Sequence, residues 1–175
     1  CDPVMGDVGR GFFVRPGIPE FMRDRVVPKA QMVTPNHFEL DFLTGRETHT
    51  LDEVIDAAHA LRGVGPATVL VTSVAVDSTQ PDELAMLAVT GEGAWHVTTP
   101  RLDRGFTGSG DLTAAMFLAH YLRTESVAQA LGQTADIVYS VLKQTADSGL
   151  PELQLVAAQD EIVSPTYHFD VRQVR

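Results

Sequence analysis

Two spacings of apolar residues alternate along this chain. Ala67-Thr68-Val69-Leu70-Val71 is nearly continuously apolar and closes on Thr72-Ser73, the pattern of a buried central strand. Leu84–Thr90 and Ala94–Thr99 flank Gly91-Glu92-Gly93 and read as a hairpin. Helical spacing is carried by Leu51, Val54, Ile55, Ala58 and Leu61, then by Leu112, Ala115, Met116, Ala119 and Leu122. A third stripe holds Leu131, Thr134, Val138, Val141 and Leu142. Capping boxes at Asn36-x-x-Glu39, Thr50-x-x-Glu53 and Ser126-x-x-Gln129 mark helix starts. Gly45, Gly63 or Gly65, and Gly149 mark the ends. Pro16–Val27 predicts a further helix with Pro19 in its first turn. Short strands are expected at Phe12–Val14, Ala30–Thr34 and Leu153–Val156, the last followed by a helical turn. An edge strand is expected at Tyr167–Val171, a strand end at Cys1–Val4, and a glycine-rich loop at Gly6–Gly11. This alternation predicts a single α/β domain over residues 1–175, a mainly parallel sheet flanked by helices with an antiparallel edge.

Composition narrows the function classes. The chain is 44% hydrophobic and 21% charged, as soluble globular chains are. No apolar run approaches the ~20 residues of a membrane span. A formal net charge of −10 argues against nucleic acid or an anionic membrane as partner, since both require a basic surface. One cysteine leaves no internal disulfide framework and fits a reducing compartment. The histidines do not cluster with it, which argues against a zinc site.

Candidate chemistry concentrates at Arg104-Gly105-Phe106-Thr107-Gly108-Ser109-Gly110-Asp111-Leu112-Thr113. Three glycines in six residues suit neither a strand nor a helix interior, and the stripe beginning at Leu112 makes them the entry to a helix. The first N–H groups of a helix lack internal partners and carry the positive end of its dipole, and glycine lets an anion approach them. Position 113 is Thr, so the G-x-G-x-x-G dinucleotide fingerprint is incomplete, and no lysine follows as a P-loop requires. Two readings stand on the residues alone: a turn with Asp111 as helix cap, or an anion hole with a carboxylate beside it. Asn36-x-x-Glu39 read alone is a capping box.

Gly108-Ser109-Gly110-Asp111 resembles the G-[TS]-G-D signature of ribokinase-fold small-molecule kinases. Asp2-Pro3-Val4-Met5-Gly6-Asp7 and Thr34-Pro35-Asn36-x-x-Glu39 resemble two further motifs of one branch, the pyridoxal kinases. The three motifs stand in that family's order at similar spacings, and the resemblance runs from Cys1 to about Val171.

The resemblance implies a ribokinase-like fold that transfers the γ-phosphoryl of ATP to the 5′-hydroxyl of pyridoxal. It implies Asp111 as catalytic base and substrate contact, with Gly108, Ser109 and Gly110 forming the anion hole. It implies that Asp2 and Glu39 act through Mg²⁺ or a monovalent cation such as K⁺. The ATP contacts it implies are Asp2, Thr34, Asn36, Glu39, Thr72, Ser73, Thr99, Pro100, Arg101, Leu102, Phe106, Thr107 and Leu142. A cytoplasmic homodimer is the expected setting. In that family the first strands, the lid and most pyridoxal contacts precede the region matched here, so the chain is expected to be the C-terminal part of a longer protein, with the N-terminal part missing. The same-fold alternative is a hydroxymethylpyrimidine kinase. Those enzymes resemble the chain at Asp2-Pro3-Val4-Met5 but often carry Cys at the position of Asp111 and usually lack the Gly6-Asp7 continuation. A non-catalytic nucleotide- or vitamin-binding protein is the alternative of another class.

Overall fold

The computed structural model describes residues 1–175. An antiparallel hairpin, β1 (Gly6–Asp7) and β2 (Gly11–Phe12), stands beside a five-stranded sheet. The sheet has the order β3 (Met32–Val33), β4 (Thr68–Val74), β5 (Glu83–Val89), β6 (Ala94–Pro100) and β7 (Arg172–Gln173). The helices are α1 (Ile18–Phe21), α2 (His37–Thr44), α3 (Leu51–Arg62), α4 (Ser109–Thr124), α5 (Val127–Ser148) and α6 (Gln159–Val163).

The sheet is the middle of three layers. Alternate residues of β4 and β5 point to opposite faces, as the pleat requires. Val69, Val71, Leu87 and Val89 join Leu40 and Leu43 of α2 and Val54, Ile55, Ala58 and Leu61 of α3 in one core. Leu70, Met86 and Ala88 join Phe117 of α4 and Val127, Ala130 and Leu131 of α5 in the other. Burial on both sides is why these strands read as unbroken apolar runs. The capping boxes at Asn36 and Thr50 both form, and Ser126 accepts from the Gln129 amide.

Several expectations are corrected. The α/β architecture is as expected, but only β3–β4 is parallel, extended by a bridge between Asn36 and Thr72. The other three pairings are antiparallel. A parallel return needs a crossover of about a dozen residues or more. The chain between β3 and β4 supplies one as α2 and α3, whereas residues 75–82 and 90–93 are too short and force the strands back on themselves. The helix expected at Pro16–Val27 starts as α1, widens to a π-turn over Met22–Val26 and tightens to a 3₁₀ turn over Val27–Lys29. Pro28 lacks an N–H and its ring obstructs the carbonyl four residues back, so the α pitch does not run through it.

Gly6–Gly11 is part of the β1–β2 hairpin, with the Phe12 ring set edge-on against Phe38 and Phe42 at 5.2 and 5.0 Å. Cys1 runs beside β3 as expected of a strand end: its amino group donates to Met32 O at 2.7 Å, and Thr34 N donates to Cys1 O at 3.0 Å. Leu153–Val156 forms no strand. Gln154 N donates to Thr145 Oγ1 and Ala158 N to Gln154 O, a turn that leaves Val156 83% exposed. The outer edge of β6 is instead taken by β7, displaced from the expected Tyr167–Val171. Those residues lie along α5, where Tyr139 packs edge-on to Tyr167 and Phe169 and Asp136 accepts from Phe169 N. On α4 the buried residues are Leu112, Thr113 and Phe117, while Leu122 is 69% exposed. This helix is apolar on more than one side, and the fully buried Phe117 marks the side that turns inward.

Candidate active site

Strand ends and helix starts converge at one end of the sheet. Gly108 is the N-cap of α4 with φ 87°, ψ −1°, a left-handed conformation that favours glycine. Its carbonyl accepts from Leu112 N at 3.0 Å. Ser109 faces back on the turn, donating N and Oγ to Phe106 O at 3.3 and 2.9 Å. The amides of Gly110 and Asp111 have no protein acceptor. Gly110 needs no unusual backbone, and a Cβ built on it meets nothing within 4 Å. Its surroundings therefore leave open space next to two free N–H groups at the positive end of a 16-residue helix. Asp111 stands on that turn, exposed, as an acidic first-turn residue. It is not the cap: Gly108 holds that position, and no side chain caps the helix.

The other two acids come from the N-terminal segment and from α2. Asp2 accepts from Thr34 Oγ1 at 3.1 Å. Burial raises the Asp2 carboxyl above its usual range, the Thr34 hydrogen bond pulls it down, and the negative charge of Asp111 pushes it up again. Glu39 is 3% exposed. Its Oε1 accepts from Met5 N at 2.8 Å and Gly6 N at 3.4 Å, and its Oε2 accepts from Asn36 N at 2.9 Å. Burial raises the Glu39 carboxyl, those three amides lower it, and the charge of Asp2 adds to the rise. Asn36 caps α2 through the Glu39 amide and donates its side-chain amide to Gly6 O at 2.8 Å. The capping reading of Asn36 and Glu39 therefore holds, and the same two side chains clamp the Met5-Gly6 backbone onto α2. Asp2 lies within the electrostatic reach of both Glu39 and Asp111, so three acids distant in sequence share one negative field. No three His, Cys, Asp or Glu side chains are arranged as a complete metal cage.

Thr72 and Ser73 sit at the exit of β4. Thr72 N donates to Pro35 O at 2.9 Å, and the β4–β5 register shifts between Val71 and Val74. Ser73 has φ 51°, a left-handed conformation uncommon for a residue with a side chain. Thr99 is buried and donates to Leu84 O at 3.4 Å, while Pro100 pairs with Glu83 at the end of β6. Arg101 N donates to Asp82 O, and Leu102 is half-buried beyond it. Arg104 stacks over the Phe106 ring at 4.8 Å, and Thr107 is exposed in the turn before Gly108. Leu142 packs in a small cluster with Leu112, Val138 and Val141 beneath the start of α4. The site thus joins Asp2, Thr34, Asn36, Glu39 and Thr72 by direct bonds and Asp111 by charge, whereas Thr99–Phe106 and Leu142 make no hydrogen bond to that group. The clamp on Met5 and Gly6 and the bond from Thr72 N to Pro35 O carry no sequence signal, because both engage backbone atoms.

The profile of the phosphomethylpyrimidine kinase family matches residues 1–153. The chain belongs to this family. Pyridoxal kinase PdxY of Rubrobacter xylanophilus is 54% identical over 175 residues, 99% of this chain and 60% of the relative. Pyridoxal kinase PdxY of Leifsonia xyli is 48% identical over 99% of this chain and 62% of its own. The chain therefore spans about 60% of the length of the curated relatives it matches. Among solved structures, pyridoxal kinase from Leishmania donovani in complex with ADP and pyridoxine superposes with a TM-score of 0.87 at 27% identity, over 100% of this chain and 61% of that one. Pyridoxal kinase from Entamoeba histolytica shares the fold, with a TM-score of 0.86 at 24% identity over 99% and 61%. No helix is long and apolar enough to cross a membrane.

Proposed function

We propose that residues 1–175 are the ATP-binding and catalytic part of a pyridoxal kinase, transferring the γ-phosphoryl of ATP to the 5′-hydroxyl of pyridoxal. The observation that carries the reading is the pair of unpartnered amides at Gly110 and Asp111, opening on free space beside a carboxylate. In this reading the two N–H groups and the α4 dipole stabilise charge on the transferring phosphoryl, and Asp111 accepts the proton of the attacking hydroxyl. Pyridoxal as acceptor is favoured over hydroxymethylpyrimidine by the identity to curated pyridoxal kinases, 54% and 48%, and the retained Asp111 favours an enzyme over a binding protein.

Asp2 is the candidate carboxylate ligand of Mg²⁺. Hard cations take oxygen donors, and Asp2 feels the negative charge of Asp111 and acts on Glu39, so a cation at Asp2 would relieve that repulsion. Glu39 serves behind Asp2, because both its oxygens already face backbone amides. A bound cation would offset the charge of the phosphates, and K⁺ is a candidate for a second such position. Thr34, Asn36, Thr72 and Ser73 are read as phosphate-side contacts, and Thr99–Leu102, Phe106, Thr107 and Leu142 as the nucleoside side. A cytoplasmic homodimer is the setting that fits this reading.

The test is ATP-dependent formation of pyridoxal 5′-phosphate by the protein that carries this chain, compared with its Asp111→Asn variant. Turnover by wild type and its loss in the variant supports the reading. ATP binding without phosphoryl transfer favours the binding-protein alternative.

A further inference from the structure

His37 follows the site residue Asn36. It is 6% exposed, and both its ring nitrogens are engaged. Ala75 N donates to Nδ1 at 3.1 Å, so Nδ1 carries no proton. The ring proton is then on Nε2, which donates to Thr48 Oγ1 at 2.7 Å, and Thr48 Oγ1 in turn donates to Asp41 Oδ1 at 2.7 Å. The direction of every bond in this relay follows from one fact, that a backbone amide can only donate.

The relay ends at the segment that holds the unusual backbone of the site. Ser73 is left-handed, and such a conformation persists only where its neighbours fix it. On its N-terminal side Thr72 is held by Pro35 O and by the bridge to Asn36. On its C-terminal side Ala75 is exposed, and His37 Nδ1 is the acceptor of its amide. Pro35, Asn36 and His37 thus grip the β4 exit at successive points with Ser73 between them. We propose that His37 is a positioning residue of the nucleotide site: as the Nε2–H tautomer, braced by Thr48 and Asp41, it fixes Ala75 and so presents Thr72 and Ser73 to the phosphates. This inference rests on the kinase reading above.

Two substitutions divide the ring's bonds. The side-chain oxygen in His37→Asn stands near the Nδ1 position and still accepts from Ala75, while the Thr48 bond is lost. His37→Gln reaches Thr48 and leaves Ala75 without an acceptor. A merely structural role predicts equal effects on melting temperature and on affinity. Positioning predicts that ADP affinity, measured by calorimetry, falls by about tenfold in His37→Gln and stays within about threefold of wild type in His37→Asn. Equal ADP affinity in both variants overturns the inference, and ADP binding by wild type that neither variant changes overturns it alone. Absence of ADP binding by wild type overturns the kinase reading and the inference with it. Amide exchange in wild type decides the matter without any variant. Ala75 should be protected although it is exposed, and ADP should slow its exchange further, since coupling between loop and ligand is reciprocal. An unprotected Ala75 amide, or one indifferent to bound ADP, refutes the proposal.

Discussion

Gly110→Ala separates folding from function, because the two effects have opposite signs. Gly110 is the second residue of α4, its backbone is of the ordinary helical kind, and a Cβ there meets nothing within 4 Å. Replacing glycine by alanine inside a helix stabilises by about 0.5–1 kcal/mol, and a first-turn position should give the lower part of that range. For a chain of this size, about 0.5 kcal/mol is about 1–2 °C in Tm. The added methyl occupies the space beside the free Gly110 and Asp111 amides, where a phosphate oxygen would sit. Loss of one donor of this type costs about 10²–10³ in kcat. The expected result is a Tm equal to or slightly above wild type, from thermal denaturation, with pyridoxal phosphorylation reduced by about that factor. Wild-type kcat and ATP affinity in a folded variant would refute the anion hole and leave the loop as a turn. A Tm several degrees lower would refute the open space.

Asp111→Asn should lower kcat by about 10²–10⁴ with ATP binding retained. Its Tm should stay near wild type, because Gly108, not Asp111, caps α4 and only the favourable charge near the helix start, about 0.3–1 kcal/mol, is lost; wild-type turnover would require another base. Glu39→Gln is expected to destabilise by about 1–3 kcal/mol in urea denaturation. One amide oxygen cannot accept from both sides, so an NH₂ group would confront Met5 and Gly6 N or Asn36 N, and an unchanged midpoint would refute the three-amide clamp. The Asp2 carboxyl is raised when folded, so between its ordinary value of 3.8 and its raised value the folded state binds more protons than the unfolded. Stability from this group should therefore fall as pH rises through that window and recover as pH drops. Tm–pH curves of wild type and Asp2→Asn should diverge there, and Asp111→Asn should move the Asp2 midpoint, read by NMR, downward.

What the sequence revealed follows the range of the forces involved. The ends of α2 and α3 were legible because a capping box needs only residues three apart, and Asn36, Glu39, Thr50 and Glu53 supply them. The β5–β6 hairpin was legible because its turn residues adjoin both strands. The β1–β2 hairpin was not, since Phe12 finds Phe38 and Phe42 only after α2 is in place. Leu155 and Val156 have strand composition, yet no sheet edge waits for them. Asp111, Asp2 and Glu39 were singled out by motif, but their mutual charge is a product of folding. The residue types at Met5 and Gly6 do not show that their backbone amides meet Glu39, nor does Pro35 show that its carbonyl accepts from Thr72.

The mixed pairing of the sheet has a consequence for the order in which the site assembles. β5–β6 and the α4–α5 pair close over short stretches of chain, whereas Met32 meets Thr68 only after a long excursion through two helices. Closing the longer loop costs more chain entropy, and non-local topology slows the search. The glycine loop at Gly108–Asp111 belongs to the rapidly formed portion. Asp2, Asn36 and Glu39 belong to the portion that docks through β3, so the two groups of site residues meet at the final step. Pulse-labelling during refolding should find the β5–β6 amides protected first and Met5 and Gly6 last. An early variant defect in β3 docking would then leave a chain with a formed anion hole and nothing facing it.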